Sequence, residues 1–452
     1  MGTLLPQAGA PALPPLLDPR IARVIRATPD RLHALVAEHG SPLNIVWPHA
    51  VADTVERMRE ALATEGVDYE IFYGAKVNKS RALVRAAVAA GTGIDVSSLA
   101  ECEDALRASA DPARLCATGP AKTRPFLRRL VAVGALVAVD SLEELDDLGG
   151  CTREGGPARV LLRYRPDSAA RSRFGMGRGA IREALRRLAR EDAPFAFEGF
   201  HLHLSGYDVE SRVAAMAEVA GLVDEAVALR LPVRLIDIGG GLPVRYVDPD
   251  TYANALARQG PEHYQTGRVP AEFYPYGSPL TAAEWIAGFL RAPCRGGTIA
   301  GYLRSMGLRL AIEPGRSLVD QAAISLFRVT RTKPLGEGRG VVFVEGSSFS
   351  ACETWFASEF LVDPILLPAA PEGREGPGLR AFIAGHSCLD GDVITHRLLE
   401  FGTAPRPGDL LLHANTAGYQ MDLLENEFHR HPMPARLVAT PSSDAGFVFA
   451  RD

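Results

Sequence analysis

The sequence predicts an α/β protein, a (β/α)8 TIM-like barrel followed by a β-rich second domain, and three observations carry that reading. From about Val51 to Arg331 short apolar runs alternate with amphipathic stretches. This is the pattern of strand–helix units, about eight of which close into a barrel with helices outside. After about Phe327 helical periodicity fades into short strand-like runs separated by turns. A length of 452 residues exceeds one small domain and suits two.

The elements follow in order. The opening MGTLLPQAGAPALPPLLDPR has five prolines and no basic start, so it reads as a partly disordered leader and not as a signal peptide. Strand-like Glu70–Ala75 leads into a helix over Ser80–Ala90, Gly93–Val96 into Leu99–Ala108, Leu136–Asp140 into Leu142–Leu148, and Val160–Arg165 into Ile181–Glu191. In such barrels chemistry gathers at the C-terminal strand ends, where Lys76, Asp95, Arg163, His203, Gly239 and Glu313 fall. From Tyr246 to Arg309 tyrosines and prolines predict a packed excursion, either a surface insertion or a substrate lid. Later strands are expected over Leu326–Thr330, Gly340–Glu345, Leu379–Ala384, Asp409–Ala414 and Ala435–Ala439.

Composition removes several functions. With 47% hydrophobic and 23% charged residues and a net charge of −5, the chain is an ordinary globular protein without the basic footprint of a nucleic-acid binder. No apolar run approaches the roughly 20 residues that span a bilayer. Cysteines 102, 116, 151, 294, 352 and 388 form no CxxC pair and read as reduced thiols of a cytoplasmic protein.

Six segments carry chemical groups. Tyr73-Gly-Ala-Lys76-Val-Asn-Lys79 is a strand that ends on a lysine. A buried lysine loses charge stabilisation, its pKa falls, and its free amine forms a Schiff base with an aldehyde. Most strand-end lysines simply keep their ammonium in water, so this segment gains meaning from the others. Gly199-Phe-His201-Leu-His203-Leu-Ser205-Gly206 points two histidines to one face of a strand. Leu235-Ile-Asp-Ile-Gly239-Gly240-Gly241 opens a strand into bare amides that can close around a phosphate. Ala311-Ile-Glu313-Pro-Gly315-Arg316, Gly385-His-Ser-Cys388-Leu-Asp390-Gly-Asp392 and Ala417-Gly-Tyr419 complete the set.

This ordered set resembles the fold-type III pyridoxal-phosphate enzymes, specifically the diaminopimelate, ornithine and arginine decarboxylase family, with alanine racemase a more distant relation. The resemblance runs from about Ser41 to the end. It implies a pyridoxal-binding, alanine-racemase-like barrel over 48–326, carrying an insertion at about 246–309 that is longer than the family's usual connection. The barrel would be inserted in a β domain formed by the strand Pro42–Trp47 of segment 1–47 and by residues 327–452. Lys76 would hold pyridoxal 5'-phosphate as a Schiff base, Glu313 would face the pyridinium nitrogen, and His203 would stack on the ring with His201 behind it. Asp95 would lie near the cofactor and the lysine. Phosphate would lean on the amides of Gly239, Gly240, Gly241, Gly315 and Arg316 and on the Tyr419 hydroxyl, with Ser205 a further contact. The family continues His-x-Gly-Ser where this chain has His203-Leu-Ser205-Gly206.

Cys388 and Asp392 match a Cys-x-x-x-Asp segment that family dimers present across their interface, so the resemblance implies a homodimer with shared active sites. A thiol there would return a proton to the substrate carbon after CO2 leaves. Substrate contacts would come from Arg316, Asp363, Leu389, Asp390 and Asp392. Leu389 stands where diaminopimelate decarboxylases carry a glutamate for the distal amine. Asp363 falls in the segment nearest to their Arg-Pro-x-x-Tyr carboxylate grip. An acid in place of that arginine reverses the electrostatic preference. The expected reaction is therefore decarboxylation of an amino acid other than meso-diaminopimelate, with no metal. Racemisation or epimerisation is the alternative. A metal-dependent barrel hydrolase built on His201 and His203, or a non-catalytic homologue, stands further off.

Overall fold

The structure, a computed structural model, describes residues 9–452 apart from 153–155, 351–353, 373, 375, 425, 426 and 443–445; Cys352 lies outside the described residues. The chain divides into two compact units, one of residues 51–243 and 280–318, the other of residues up to 50, 244–279 and 319–452.

The first unit is a closed barrel of eight parallel strands: Tyr69–Gly74, Gly93–Val96, Leu115–Ala117, Leu136–Val139, Ala158–Arg163, Phe195–His201, Leu235–Asp237 and Arg309–Ile312. The eighth strand pairs with both the seventh and the first, which closes the ring. Parallel strands covered by helices are buried on both faces, hence wholly apolar runs such as Leu136–Val139. Three of the strand-to-helix turns are fixed by serine caps. Ser80, Ser98 and Ser141 hydroxyls accept the amides of Leu83, Glu101 and Glu144 at 3.3, 3.1 and 3.1 Å. Phe72, Cys116, Leu136, Leu161, Leu235 and Ala311 fill the barrel interior.

The second unit is a nine-stranded mixed sheet. Leu43–Val46 sits in it between Ala323–Gly336, antiparallel, and Ala435–Pro441, parallel. Arg339–Val344, Leu379–Ala384 and Val393–Phe401 extend one side, Phe447–Arg451 ends the other, and Leu410–Ala414 and Ile365–Leu367 branch from Ala323–Gly336. Two helices, Pro19–Ala27 and Pro29–His39, bury Ile21, Ile25, Leu32, Leu35 and Val36 against Trp47, Leu326, Leu412 and Leu437.

Two sequence expectations about the barrel change here. The barrel unit ends at Leu318 and not at 326. The stretch expected as one insertion over 246–309 splits. Residues 244–279 pack with the sheet unit, whereas the helices Ala282–Arg291 and Ile299–Ser305 supply the crossover from the seventh to the eighth barrel strand. Such a parallel crossover needs a helix, so this part is barrel and not insertion. The excursion is packed as anticipated: Tyr246 and Tyr276 are fully buried and stacked at 5.3 Å, with Phe360 5.1 Å from Tyr276. Gln265 N–H donates to His396 O at 2.8 Å, which ties the excursion to the sheet.

The leader is not loose from residue 9 onward. Ala10 N–H donates to Leu398 O and Leu16 N–H to Tyr246 O, at 3.0 and 2.7 Å. Asp363 accepts the Leu13 amide at 2.7 Å and the Arg397 guanidinium at 2.5 Å, and Arg397 also donates to Pro11 O at 2.6 Å. Asp363, expected to meet substrate, thus anchors the leader, one oxygen on each partner. Asp363→Ala would strand Arg397, whose side chain is only 4% exposed. A loss of about 3 kcal/mol in stability is expected, with a lower denaturant midpoint and faster protease cleavage of the leader.

Among the described residues no helix is long and apolar enough to cross a membrane. The five described cysteines are all free thiols.

Candidate active site

The first barrel strand stops at Gly74, and one 3-10 turn, Ala75–Val77, lifts Lys76 to the C-terminal rim. Its Nζ lies 2.7 Å from Asp95 Oδ2 on the second strand, and Asp95 Oδ1 accepts Thr118 Oγ1 at 2.6 Å. Asp95 is fully buried, whereas the Lys76 side chain is 39% exposed. The expectation of a buried lysine is corrected: the Lys76 amine is reachable and paired with the buried Asp95 carboxylate. Lys79 of the same turn is held by Glu101 at 2.6 Å and by Ala75 O at 3.0 Å.

Arg163, His201 and Asp237 lie side by side in register on the fifth, sixth and seventh strands. Arg163 pairs with Asp140 at 3.1 Å, and Lys122, fully buried, with Glu144 at 3.0 Å. Glu313 follows the eighth strand, 4% exposed, with Oε1 3.3 Å from His201 Nε2. Burial, then the Arg163 charge, pushes His201 well below the ordinary histidine range. Burial, then the Glu313 charge, pushes the Asp237 carboxyl well above the carboxylate range.

His203 stands at the rim, accessible to solvent yet crowded by protein on most sides, and this desolvation lowers its pKa to about 3. Both histidines are neutral when folded, while an unfolded histidine takes up a proton near pH 6.5. Below that pH the unfolded chain binds more protons, so their stabilising contribution, complete above about 6.5, is lost as pH falls toward the depressed folded values. Equilibrium unfolding is expected to show a lower denaturant midpoint at pH 5 than at pH 7.

The three-glycine turn is shaped by close approach. Gly239 has φ +68°, and a Cβ there would lie 2.5 Å from His203 Nδ1; one on Gly240 would lie 2.5 Å from Glu313 O. A Cβ on Gly241, φ +78°, would strike the Arg212 guanidinium and lie 2.7 Å from Gly206 O. Not every amide is available as anticipated. Gly239 N–H donates to Asp237 Oδ1 at 2.8 Å and Gly240 N–H to His203 Nδ1 at 3.1 Å. The Gly241 and Gly315 amides have no partner among the described residues. Arg212, 1% exposed on the helix Val209–Ala228, gathers the carbonyls of Leu204, Ser205, Gly206 and Gly240, so it joins the Ser205 loop to the glycine turn. Gly241→Ala is expected to lower stability by about 1–3 kcal/mol by displacing the buried Arg212, read as a lower denaturant midpoint.

Sequence reasoning missed Arg212, although it occupies the stripe with Ala215, Met216 and Val219, and an arginine on an apolar stripe is itself a signal. It also passed over Asp237, which lay inside the quoted glycine segment.

The remaining candidates stand on the sheet unit. Cys388 is exposed, and its amide donates to His429 Nε2 at 3.3 Å. Asp392, expected to meet substrate, is 4% exposed and accepts the amides of Ser348 and Ser387 at 2.6 and 2.9 Å, which fixes the turn that carries Cys388. Cys388, Leu389, Asp390 and Lys333 line a cavity of about 440 Å³. Tyr419 sits in a turn with φ 77°.

A closed barrel and a mixed sheet that takes in a strand from before the barrel define the architecture of the fold-type III pyridoxal enzymes. A family model described as pyridoxal-dependent decarboxylase, pyridoxal binding domain, matches residues 49–267. An uncharacterised protein of Sinorhizobium fredii, y4yA, is 54% identical over 434 residues, 96% of this chain and 95% of its own. A diaminopimelate decarboxylase of Pseudomonas aeruginosa is 26% identical over 415 residues, 87% of each chain. Among solved structures, M. jannaschii diaminopimelate decarboxylase in complex with L-lysine superposes with a TM-score of 0.74 at 19% identity, covering 93% of this chain and 91% of its own. The arginine decarboxylase of Paramecium bursaria Chlorella virus gives a TM-score of 0.68 at 18% identity, covering 91% and 99%. The chain belongs to the fold-type III pyridoxal-phosphate-dependent decarboxylase family, whose cofactor is pyridoxal 5'-phosphate.

Proposed function

We propose that this protein decarboxylates an amino acid through pyridoxal 5'-phosphate held on Lys76. The observation that supports it most is the reachable Lys76 amine, set at a strand end against the buried Asp95. The barrel residues fit the cofactor. Lys76 would take its aldehyde carbon, Glu313 its ring nitrogen, His203 one ring face, and the Gly241, Gly315 and Arg316 amides its phosphate. When bound, the group supplies an aldehyde that condenses with amines and a ring that accepts the electron pair left by departing CO2.

Asp95 holds Nζ at the rim until substrate arrives. Glu313 offers a fixed negative charge in a site shielded from water. His203, neutral, would cover the ring without adding a repelling charge. Cys388 Sγ or Lys76 Nζ returns a proton to the substrate α-carbon. The reading includes a cytoplasmic homodimer in which Cys388 and Tyr419 complete shared sites, with Arg316, Leu389 and Asp390 on the substrate side. Leu389 in place of the family's glutamate supports a substrate other than meso-diaminopimelate.

The test incubates the pyridoxal-loaded protein with L- and D-amino acids, meso-diaminopimelate included, in heavy water. CO2 release with one deuterium at Cα is the expected result and names the substrate. Exchange without CO2 loss would move the assignment to a racemase or epimerase. Release of lysine from diaminopimelate at an ordinary enzymatic rate would overturn the substrate reading.

A further inference from the structure

Behind the rim lie acid–base groups that the scheme above leaves unused. Asp237 pairs in register with His201 on one side and with Ala311, two residues before Glu313, on the other. One oxygen each of Asp237 and Glu313 and the Cys116 sulfur lie within 4.8 Å of one another, all buried. Asp237 Oδ1 accepts the Gly239 amide, but Asp237 Oδ2, Glu313 Oε1 and both His201 nitrogens have no hydrogen-bond partner. The cations that face this group are committed to other acids: Lys76 to Asp95, Arg163 to Asp140 and Lys122 to Glu144. Two buried carboxylates this close do not both ionise without a cation between them; they share a proton.

We propose that Asp237 and His201 are positioning residues for Glu313: Asp237 Oδ2 carries the shared proton and donates it to the Glu313 carboxylate, while His201 donates from Nε2. Glu313 is then ionised, fixed by two donors, and turned toward the ring nitrogen of the cofactor. The raised Asp237 carboxyl and the neutral His201 agree with this arrangement. Around Asp237 the other facing groups are Asp95 and the Cys116 thiol, which burial pushes up and keeps protonated. Around His201 they are Arg163, Asp95, Lys76 and Lys122. The proposal rests on the pyridoxal reading of Glu313.

Infrared difference spectroscopy of the full-length holoenzyme at neutral pH, wild type against Asp237→Asn, reads the proton directly. The expected result is a protonated-carboxyl band that shifts in heavy water and is missing from the variant; its persistence in the variant would overturn the proposal. Asp237→Ala is expected to lower kcat roughly tenfold or more at constant KM and to shift the pH dependence of the bound cofactor's absorbance. Asp237→Asn, which still offers an N–H to Glu313, restores both. Equal kcat and absorbance in wild type and Asp237→Ala would overturn it equally. Should the alanine variant fail to fold, the asparagine variant and the infrared band decide alone. The band needs no turnover, so a protein that shows it yet releases no CO2 refutes the proposed reaction and leaves the proton network standing.

Discussion

Lys76→Ala is expected to abolish decarboxylation, with turnover falling by roughly three orders of magnitude or more, since loss of a covalent partner removes a whole step. Borohydride reduction of the loaded wild type should fix the cofactor to the peptide that contains Lys76, and the variant should show no adduct there. Lys76→Arg is the sharper comparison. It keeps a positive charge opposite the fully buried Asp95, yet a guanidinium does not lose its proton in proteins and cannot condense with an aldehyde. Arginine at 76 should therefore preserve folding and fail in CO2 release. A Lys76→Arg protein that turned over at the wild-type rate would reduce the role of this lysine to its charge. Lys79 is the internal control: its side chain is 44% exposed and holds Glu101, so Lys79→Ala should cost about 1 kcal/mol of stability or less and leave the adduct in place.

The barrel was legible because several of its units repeat the same local grammar. An apolar strand, a serine cap and an amphipathic helix recur at Ser80, Ser98 and Ser141, and local periodicity and capping are what a sequence displays most clearly. The assignments that failed depend on distant partners. The leader contains five prolines, which locally argue against order, yet it is held by residues about 390 positions away, such as Leu398 and Glu400. Residues 244–279 have tyrosines and prolines but no period that says which unit will bury them. The resemblance put Asp95 near Lys76, but the direct contact of Nζ with Asp95 Oδ2 depends on strand register, which the closed sheet sets and local sequence does not display. The bonds of Asp363 to Arg397 and to the Leu13 amide were likewise invisible locally.

Glu313→Gln should lower kcat about a hundredfold, the scale on which a preorganised charge or donor acts in a shielded site. Glutamine keeps the shape and still offers an oxygen toward His201 Nε2, 3.3 Å away in the wild type, so folding and cofactor retention should survive. What would disappear is the negative charge that, on the proposed reading, keeps a proton on the ring nitrogen. Single-turnover CO2 release, with cofactor absorbance recorded alongside, separates that loss from a loss of binding; wild-type kcat in Glu313→Gln would show that the carboxylate is only structural. The double variant carries the argument further. If Asp237 acts through Glu313, removing it after the carboxylate has gone should cost little more, so Asp237→Ala/Glu313→Gln should match Glu313→Gln. Strictly additive losses would instead place Asp237 outside this chain of contacts, as a separate support for the glycine turn through its bond to the Gly239 amide.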